Sequence, residues 1–245
     1  MGFARTSFGI GQLTAVLGDG LKTLLIIPAY NEEKCIERVV NNVIENYPQF
    51  DYVVVNDGSR DATPDICRAH GYRFLDLPIN LGLAGAFQAG IKYARNNGYD
   101  CAIQLDADGQ HEPEYVQPLV DALSTCDIAI GSRFVDKPKP KSMRMFGSNL
   151  ISNLIKLTTG KRIKDPTSGM RAYGKRAIAC LAVGPNLGPE PDTLSYLIRK
   201  HDMQIREIQV EMRERMAGES YLNAKASIAY MTRITLSILI FQYFR

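Results

Sequence analysis

Two carboxylates one residue apart, Asp106 and Asp108, close a short apolar run, Ala102-Ile103 to Leu105, and Gly109, Gln110 and His111 follow them. Residues i and i+2 of a strand point to one side, and the backbone can turn at a strand end. One carboxylate can then reach a cation while the other reaches a ribose or a water. Oxygen donors of this kind suit Mg²⁺ or Mn²⁺. Such a cation keeps several waters and takes remaining ligands from a diphosphate. Gln110 offers an amide oxygen to the same ion. The plainer alternatives are an ion-free turn rich in Asp and Gly, and a structural role for His111. Asp57 is a second candidate. It follows the apolar run Tyr52 to Val55, where a carboxylate at a sheet edge can accept from a base N–H or a ribose hydroxyl. It can equally be a turn residue, since Asp57-Gly58-Ser59 is good turn chemistry.

What the chain lacks sharpens the question. No Gly-x-x-x-x-Gly-Lys-Ser/Thr loop is present, and Pro28-Ala-Tyr-Asn-Glu-Glu33 stands where a dinucleotide fold has its glycine-rich turn. A cation must therefore do much of the work of neutralising a diphosphate, which adds weight to Asp108. The chain has 3 histidines, and no Ser-His-Asp or Cys-His set can be read from residue order.

The elements that must position these groups alternate. Thr23 to Ile27 reads as a buried strand stopped by Pro28. Asn31-Glu32-Glu33 opens a helix whose Ile36, Val39, Val40, Val43, Ile44 and Tyr47 share one face. Asp51 to Asn56 is a second strand, a helix runs from Asp61 to near His70, and Tyr72 to Leu77 is a third strand. Asn80-Leu81-Gly82 starts a helix that Asn97-Gly98 ends, and the fourth strand reaches the Asp pair. Pro113 suits the first turn of the next helix, and Ile128 to Ile130 is a fifth strand ending at Gly131-Ser132-Arg133. Strands alternating with helices imply right-handed crossovers and an α/β, Rossmann-like, largely parallel mixed sheet flanked by helices. In such sheets ligands bind beyond the carboxyl ends of the strands, where Asp57 and the Asp pair both fall. The second half is less regular. A basic, proline-punctuated loop (Lys137 to Lys141) precedes a helix from Met143 to Leu157. A turn-rich segment spans Asp165 to Arg171, and a helix Pro191 to His201. Ile208, Val210 and Met212 alternate as in a strand. A polar loop covers Arg213 to Ser220, and a last helix Leu222 to Phe244.

The 245 residues, 45% hydrophobic and 22% charged, are ordinary for a globular protein. A net charge of +3 is too mild to point to nucleic acid, and none is expected as a partner. Basic residues crowd the chain after the Asp pair, which suits a ligand or membrane surface carrying phosphates; a merely solvated surface is the alternative. Cys35, Cys67, Cys101, Cys126 and Cys180 are odd in number and widely spaced. They read as small buried hydrophobes in a reducing compartment. Residues 1–22 lack a secretory pattern and read as an N-terminal extension.

Pro28-Ala-Tyr-Asn-Glu-Glu33, Asn56-Asp-Gly-Ser-Arg-Asp-Ala-Thr63, Asn80-Leu-Gly82, Asp106-Ala-Asp-Gly-Gln-His111, Gly131-Ser-Arg-Phe134 and Ser168-Gly-Met-Arg171 occur in order. Over residues 23–222 the chain resembles inverting family 2 glycosyltransferases of the GT-A fold. Within them it is most similar to the polyprenyl-phosphate, dolichol-phosphate mannosyltransferase-like branch. The resemblance implies a nucleotide-sugar half over 23–132, an acceptor half over 133–222 and a C-terminal helix over 223–245. It also implies roles. Pro28, Tyr30 and Glu32 line the nucleotide pocket, and Asp57 contacts the base. Asp106, Asp108 and Gln110 hold the cation. Arg133, Arg144 and Ser148 grip the acceptor phosphate, and Arg215 closes over the donor pyrophosphate.

The implied reaction is metal-dependent, inverting transfer of a hexose from a nucleotide diphosphate sugar to polyprenyl phosphate, for cell-surface glycan synthesis. UDP-hexose is the favoured donor and GDP-mannose the other candidate. A phosphate monoester has a second pKa of about 6 and arrives largely ionised, so arginines positioning it matter more than a general base. Many hydroxyl-directed relatives carry an adjacent Glu-Asp pair as base; here Glu190-Pro191-Asp192 breaks it, which favours a phosphate acceptor. Asp165 is a minor base candidate, with a cap before Pro166 as its other reading. Two rivals are transfer to a saccharide hydroxyl and a non-catalytic nucleotide-sugar-binding partner of a membrane transferase. The last helix, with Ile234, Leu236, Ile238, Leu239, Ile240 and Phe241 around it, is too short to span a bilayer of ~20 apolar residues. It reads either as interfacial or as packed on the domain or on another chain, a homo-oligomer or a membrane-protein partner. The expected location is cytoplasmic, peripheral on the inner face of the cell membrane.

Overall fold

A computed structural model describes residues 20–107, 113–140, 142–184, 187–211 and 224–240. The N-terminal extension lies almost wholly outside them, as do Met212 and the ends of the expected last helix.

The alternating first half takes the expected form, except that the first strand runs on through Pro28 to Ala29 and the first helix begins at Ile36 instead of Asn31. The strands are β1 (Thr23–Ala29), β2 (Asp51–Asn56), β3 (Phe74–Asp76), β4 (Cys101–Gln104) and β5 (Ile128–Ser132). Between them run α1 (Ile36–Asn46), α2 (Thr63–Ala69), α3 (Gly82–Asn96) and α4 (Val116–Ala122), the last preceded by a single 3₁₀ turn, Pro113–Tyr115. α5 (Met143–Thr159) follows the basic loop. Its first turn is capped by Ser142 Oγ, which accepts from the Met145 N–H at 3.3 Å, and its end by Gly160 at φ +73°. Next come β6 (Arg171–Gly174), α6 (Lys175–Val183), α7 (Pro191–His201), β7 (Ile205–Gln209) and α8 (Ala224–Leu239).

The seven strands form one sheet in the order β3-β2-β1-β4-β6-β5-β7. β1 pairs in parallel with β2 and β4, β2 with β3, and β5 with β7; β6 alone runs antiparallel, between β4 and β5. The expected sheet is thus mixed at that point. β6 and α6 were not legible in the sequence. The strand near Ile208 is shifted: the ladder ends at Gln209, although Val210 N–H still donates to Ser132 O at 3.0 Å.

Both faces of the sheet are covered, so β1 reads as continuous apolar chain. Leu24 and Ile26 pack on one side with α3, α6 and α7, while Leu25 and Ile27 pack on the other with α1 and α4. Each such fully buried side chain contributes about 1.5–3 kcal/mol relative to exposure. α3 sits so close to β1 that a Cβ on Gly90 would lie 2.4 Å from Ile26 Cγ2. None of the five cysteines is paired; burial pushes the Cys67 thiol up to about 11 and the Cys101 thiol up to about 12.

α8 packs against α5 and α7. Its Ile234 and Ile238 join the core, and the buried Ser237 Oγ donates to Asp192 Oδ2. This face of the last helix is therefore packed on the domain. Among the described residues no helix is long and apolar enough to cross a membrane.

Candidate active site

The carboxyl ends of β1, β2, β4 and β5 lie along one edge of the sheet. The loops after β1 and β2 are stitched by side chains that serve as backbone partners. Asn31, at φ +57°, donates its N–H to Ser59 Oγ at 3.0 Å, and Asn31 Oδ1 accepts from Arg60 N–H at 2.9 Å. Glu32 N–H donates to Thr63 Oγ1 at 2.9 Å, while Glu33 N–H donates to Asp61 Oδ2 and Glu33 Oε2 accepts from Ala62 N–H, each at 3.1 Å. Burial pushes the Asp61 carboxyl up, but bonds from Thr63 and Glu33 outweigh it and hold the carboxyl below its usual value. Pro28, Tyr30 and Glu32 are half-buried in or beside this stitched region, and the Asp57 N–H donates to Ala29 O at 2.9 Å.

Asp57 is buried at the end of β2. Its Oδ1 accepts from Leu81 N–H at 2.7 Å, immediately before α3. The next residue, Gly58, is at φ +64°, and a Cβ there would lie 2.7 Å from the backbone of Ile79 and Asn80. Only glycine permits that approach. Asp57 thus fixes the entry to α3.

On the other side of β1 the chain leaves β4 through Leu105, whose N–H donates to Ile26 O at 2.9 Å, and reaches Asp106. Gln104 Nε2 donates to Asp106 Oδ1 at 2.8 Å, while Gln104 Oε1 is buried with no hydrogen-bond partner. A half-buried carboxylate oriented by an amide, at the first position of the Asp-x-Asp motif, fits an all-oxygen cation site. Asp108, Gln110 and His111 lie outside the described residues, as does Arg215. Among the described residues no group of three metal-ligating side chains occurs.

Beyond β5, Arg133 and Asp165 form a two-pronged ion pair: Nε to Oδ2 and Nη2 to Oδ1, both 2.8 Å. The Arg133 N–H adds a bond to Oδ2 at 3.1 Å. Asp165 is fully buried, and its own N–H donates to Glu207 Oε1 of β7 at 2.7 Å. Burial pushes its carboxyl up, but Arg133 outweighs that and holds it below the usual value. An encased, paired carboxylate is a poor proton acceptor, so the geometry argues against Asp165 as the base and for Asp165 as the anchor of Arg133. Phe134 lies between two cations: the Arg133 guanidinium is 5.1 Å from its ring centre and Lys139 Nζ 5.5 Å. Lys139 Nζ also donates to the buried Ser148 Oγ at 3.0 Å. Burial lowers the Lys139 ammonium pKa, and the like charges of Arg133 and Arg162 add to this. Lys139, a residue the sequence marked only as part of a basic loop, thus bonds Ser148 and lies near the same Phe134 ring as Arg133. Arg144 falls in the first turn of α5; its side chain lies outside the described set.

The profile of glycosyl transferase family 2 matches residues 24–182. The chain belongs to glycosyl transferase family 2. An undecaprenyl-phosphate mannosyltransferase of Micrococcus luteus is 30% identical over 218 residues, 83% of this chain and 88% of that protein. A polyprenol monophosphomannose synthase of Mycolicibacterium smegmatis is 32% identical over 183 residues, 69% of this chain and 68% of that protein. Glucosyl-3-phosphoglycerate synthase from Mycobacterium tuberculosis, in complex with Mn²⁺, UDP-glucose and phosphoglyceric acid, superposes with a TM-score of 0.68 at 20% identity. The match covers 98% of this chain and 86% of that one. The fold is GT-A and the protein is a glycosyltransferase.

Within this family 2 enzyme, the Ser168-Gly-Met-Arg171 motif is architectural. The Arg171 guanidinium is buried and donates to Ser168 O at 2.9 Å, Pro166 O at 2.7 Å and Glu190 O at 3.4 Å. It ties the start of β6 to the start of α7. Of the separated acidic pair, Asp192 is bound to α8 through Ser237, and Glu190 faces Arg233 of α8 at 3.6 Å.

Proposed function

We propose that this glycosyltransferase moves a hexose from a nucleoside diphosphate sugar to the phosphate of a polyprenyl lipid, inverting the anomeric carbon. The observation that carries the reading is the cationic group beyond β5, where Arg133, locked by Asp165, stands beside Lys139 and Ser148. Two relatives named for undecaprenyl phosphate and polyprenol support it.

Each step falls to identifiable residues. Pro28, Tyr30, Glu32 and Asp57 hold the nucleoside, with a UDP-hexose as the first donor to test and GDP-mannose the second. Asp106, Asp108 and Gln110 would hold a divalent cation, Mg²⁺ or Mn²⁺, which when bound neutralises the diphosphate and stabilises it as a leaving group. Arg215 closes over that diphosphate. Arg133, Arg144, Lys139 and Ser148 orient the acceptor phosphate for in-line attack. The acceptor, with a second pKa of about 6, is already ionised at neutral pH, so no base is required and Asp165 serves to aim Arg133. The site of action is the inner face of the cell membrane, where the protein sits peripherally.

Incubation with radiolabelled UDP-glucose or GDP-mannose, Mn²⁺ and either undecaprenyl phosphate or a panel of saccharides tests the reading. The expected result is label in the organic extract, dependent on the lipid phosphate. Label appearing only on saccharides would replace the reading with transfer to a hydroxyl.

A further inference from the structure

We propose that the exposed face of α5 is the surface by which this enzyme docks on a bilayer carrying anionic headgroups. Met143, Phe146, Leu150 and Leu157 are 85%, 68%, 41% and 77% exposed. At ~100° per residue they fall within an arc of about 60°, and they extend over about 21 Å of helix. The rotation of α5 is fixed from behind. Met145, Ser148, Ile151, Ser152 and Ile155 are buried, Ser152 Oγ donates to Ile163 O, and Met231 of α8 lies against Gly147. The apolar stripe is thus held outward by the fold.

Charge selects the occupant. From Lys137 to Lys164 the chain has eight basic residues and no acidic one, against a net charge of +3 for the whole. The rest of the protein is therefore net negative, and the positive charge is concentrated in the segment that contains this helix. An exposed apolar stripe within a basic segment suits a helix lying in a lipid interface, and anionic headgroups attract such basic segments. A second copy of the chain is a poorer fit, because a two-fold interface would set this basic segment against itself. The surface is also continuous with the proposed acceptor site. Ser148, which receives Lys139, belongs to the same helix. A lipid phosphate held there would have its prenyl tail at the stripe. The proposal rests on the lipid-acceptor reading for its purpose, and its test separates the two.

The full chain is sedimented with vesicles of phosphatidylcholine alone or with phosphatidylglycerol, without any polyprenyl phosphate. Binding is expected only to the anionic vesicles and to weaken with salt. Phe146→Asp combined with Leu157→Asp should lower vesicle affinity about ten-fold or more. Val183→Asp, at an equally exposed position (68%) on α6, should leave it unchanged. Donor binding should be untouched: calorimetry with the nucleoside diphosphate should give the double variant an affinity within about two-fold of wild type, since neither residue lies near the donor crevice. Wild type that ignores anionic vesicles, or a double variant that binds them as well as wild type, would overturn the proposal. A lipid-free dimer dissociated by Phe146→Asp would overturn it in favour of self-association. Vesicle binding through α5 without transfer to any prenyl phosphate would leave the docking surface standing and remove the acceptor reading instead.

Discussion

Arg133 and Asp165, 32 residues apart, meet through two parallel 2.8 Å bonds, with the carboxylate buried and the guanidinium half-exposed at the crevice. The pairing presents a planar cation at a fixed angle, the property a phosphate acceptor requires.

Removing the anchor should cost stability in a pH-dependent way. Asp165→Asn leaves Arg133 without its buried partner, a loss of about 3–5 kcal/mol for a broken buried pair, on the order of 10 °C in Tm for a domain of this size. The Asp165 carboxyl is held below its ordinary value of 3.8 in the folded protein. Its stabilisation is therefore fully present above that value and lost as pH falls through the lower folded value. Thermal melts should show wild type and variant far apart at pH 7 and converging in acid.

Lys139 should matter to the acceptor and not to the donor. Lys139→Met removes a charged donor beside Ser148, and such bonds contribute about 1.5–3 kcal/mol. Steady-state kinetics should show KM for polyprenyl phosphate raised about ten-fold or more, with KM for the nucleotide sugar unchanged.

Gln104 should act through Asp106. Gln104→Leu removes the amide that orients Asp106 Oδ1. Loss of such an outer partner typically lowers metal affinity about 10–100-fold. Titration of Mn²⁺ in the transfer assay should show a higher half-saturating concentration, largely restored at saturating metal.

Gly58→Ala should be destabilising and should weaken donor binding together. The new Cβ meets the backbone of Ile79 and Asn80 at 2.7 Å in a left-handed conformation, costing on the order of 1–3 kcal/mol. Calorimetry with the nucleoside diphosphate should show weaker affinity, because the neighbouring Asp57 moves with the loop.

The first half of the fold was legible because each strand is a short apolar run followed by a turn signal, such as Asp57 after β2 and Asp106 after β4; Pro28 misled, since β1 runs through it to Ala29. Hydrophobic period and turn residues carry that information locally. β6 was not legible, since Arg171-Ala-Tyr-Gly174 is short, begins with arginine and lacks alternation. Its strand character comes from filling the gap between β4 and β5. Arg171 itself looked like one more member of a basic surface and is instead buried on three backbone carbonyls. The partnership of Arg133 with Asp165 and the approach of Lys139 to Ser148 are long-range consequences of packing that no local spacing announces. The last helix was read evenly between membrane and domain. Ser237 meeting Asp192 settles one face of it; Leu236, Leu239 and Ile240 are exposed on the other, less fully than Met143, Phe146 and Leu157 of α5.

The central claim is that a phosphate oxygen of the lipid attacks the anomeric carbon from the side opposite the leaving diphosphate. Undecaprenyl phosphate carrying ¹⁸O in its non-bridging positions, incubated with an α-linked nucleotide sugar labelled with ¹³C at the anomeric carbon, tests it directly. The account predicts a β-linked product whose anomeric ¹³C signal is shifted by a bonded ¹⁸O. An α-linked product, or an anomeric carbon bonded only to ¹⁶O, would contradict it.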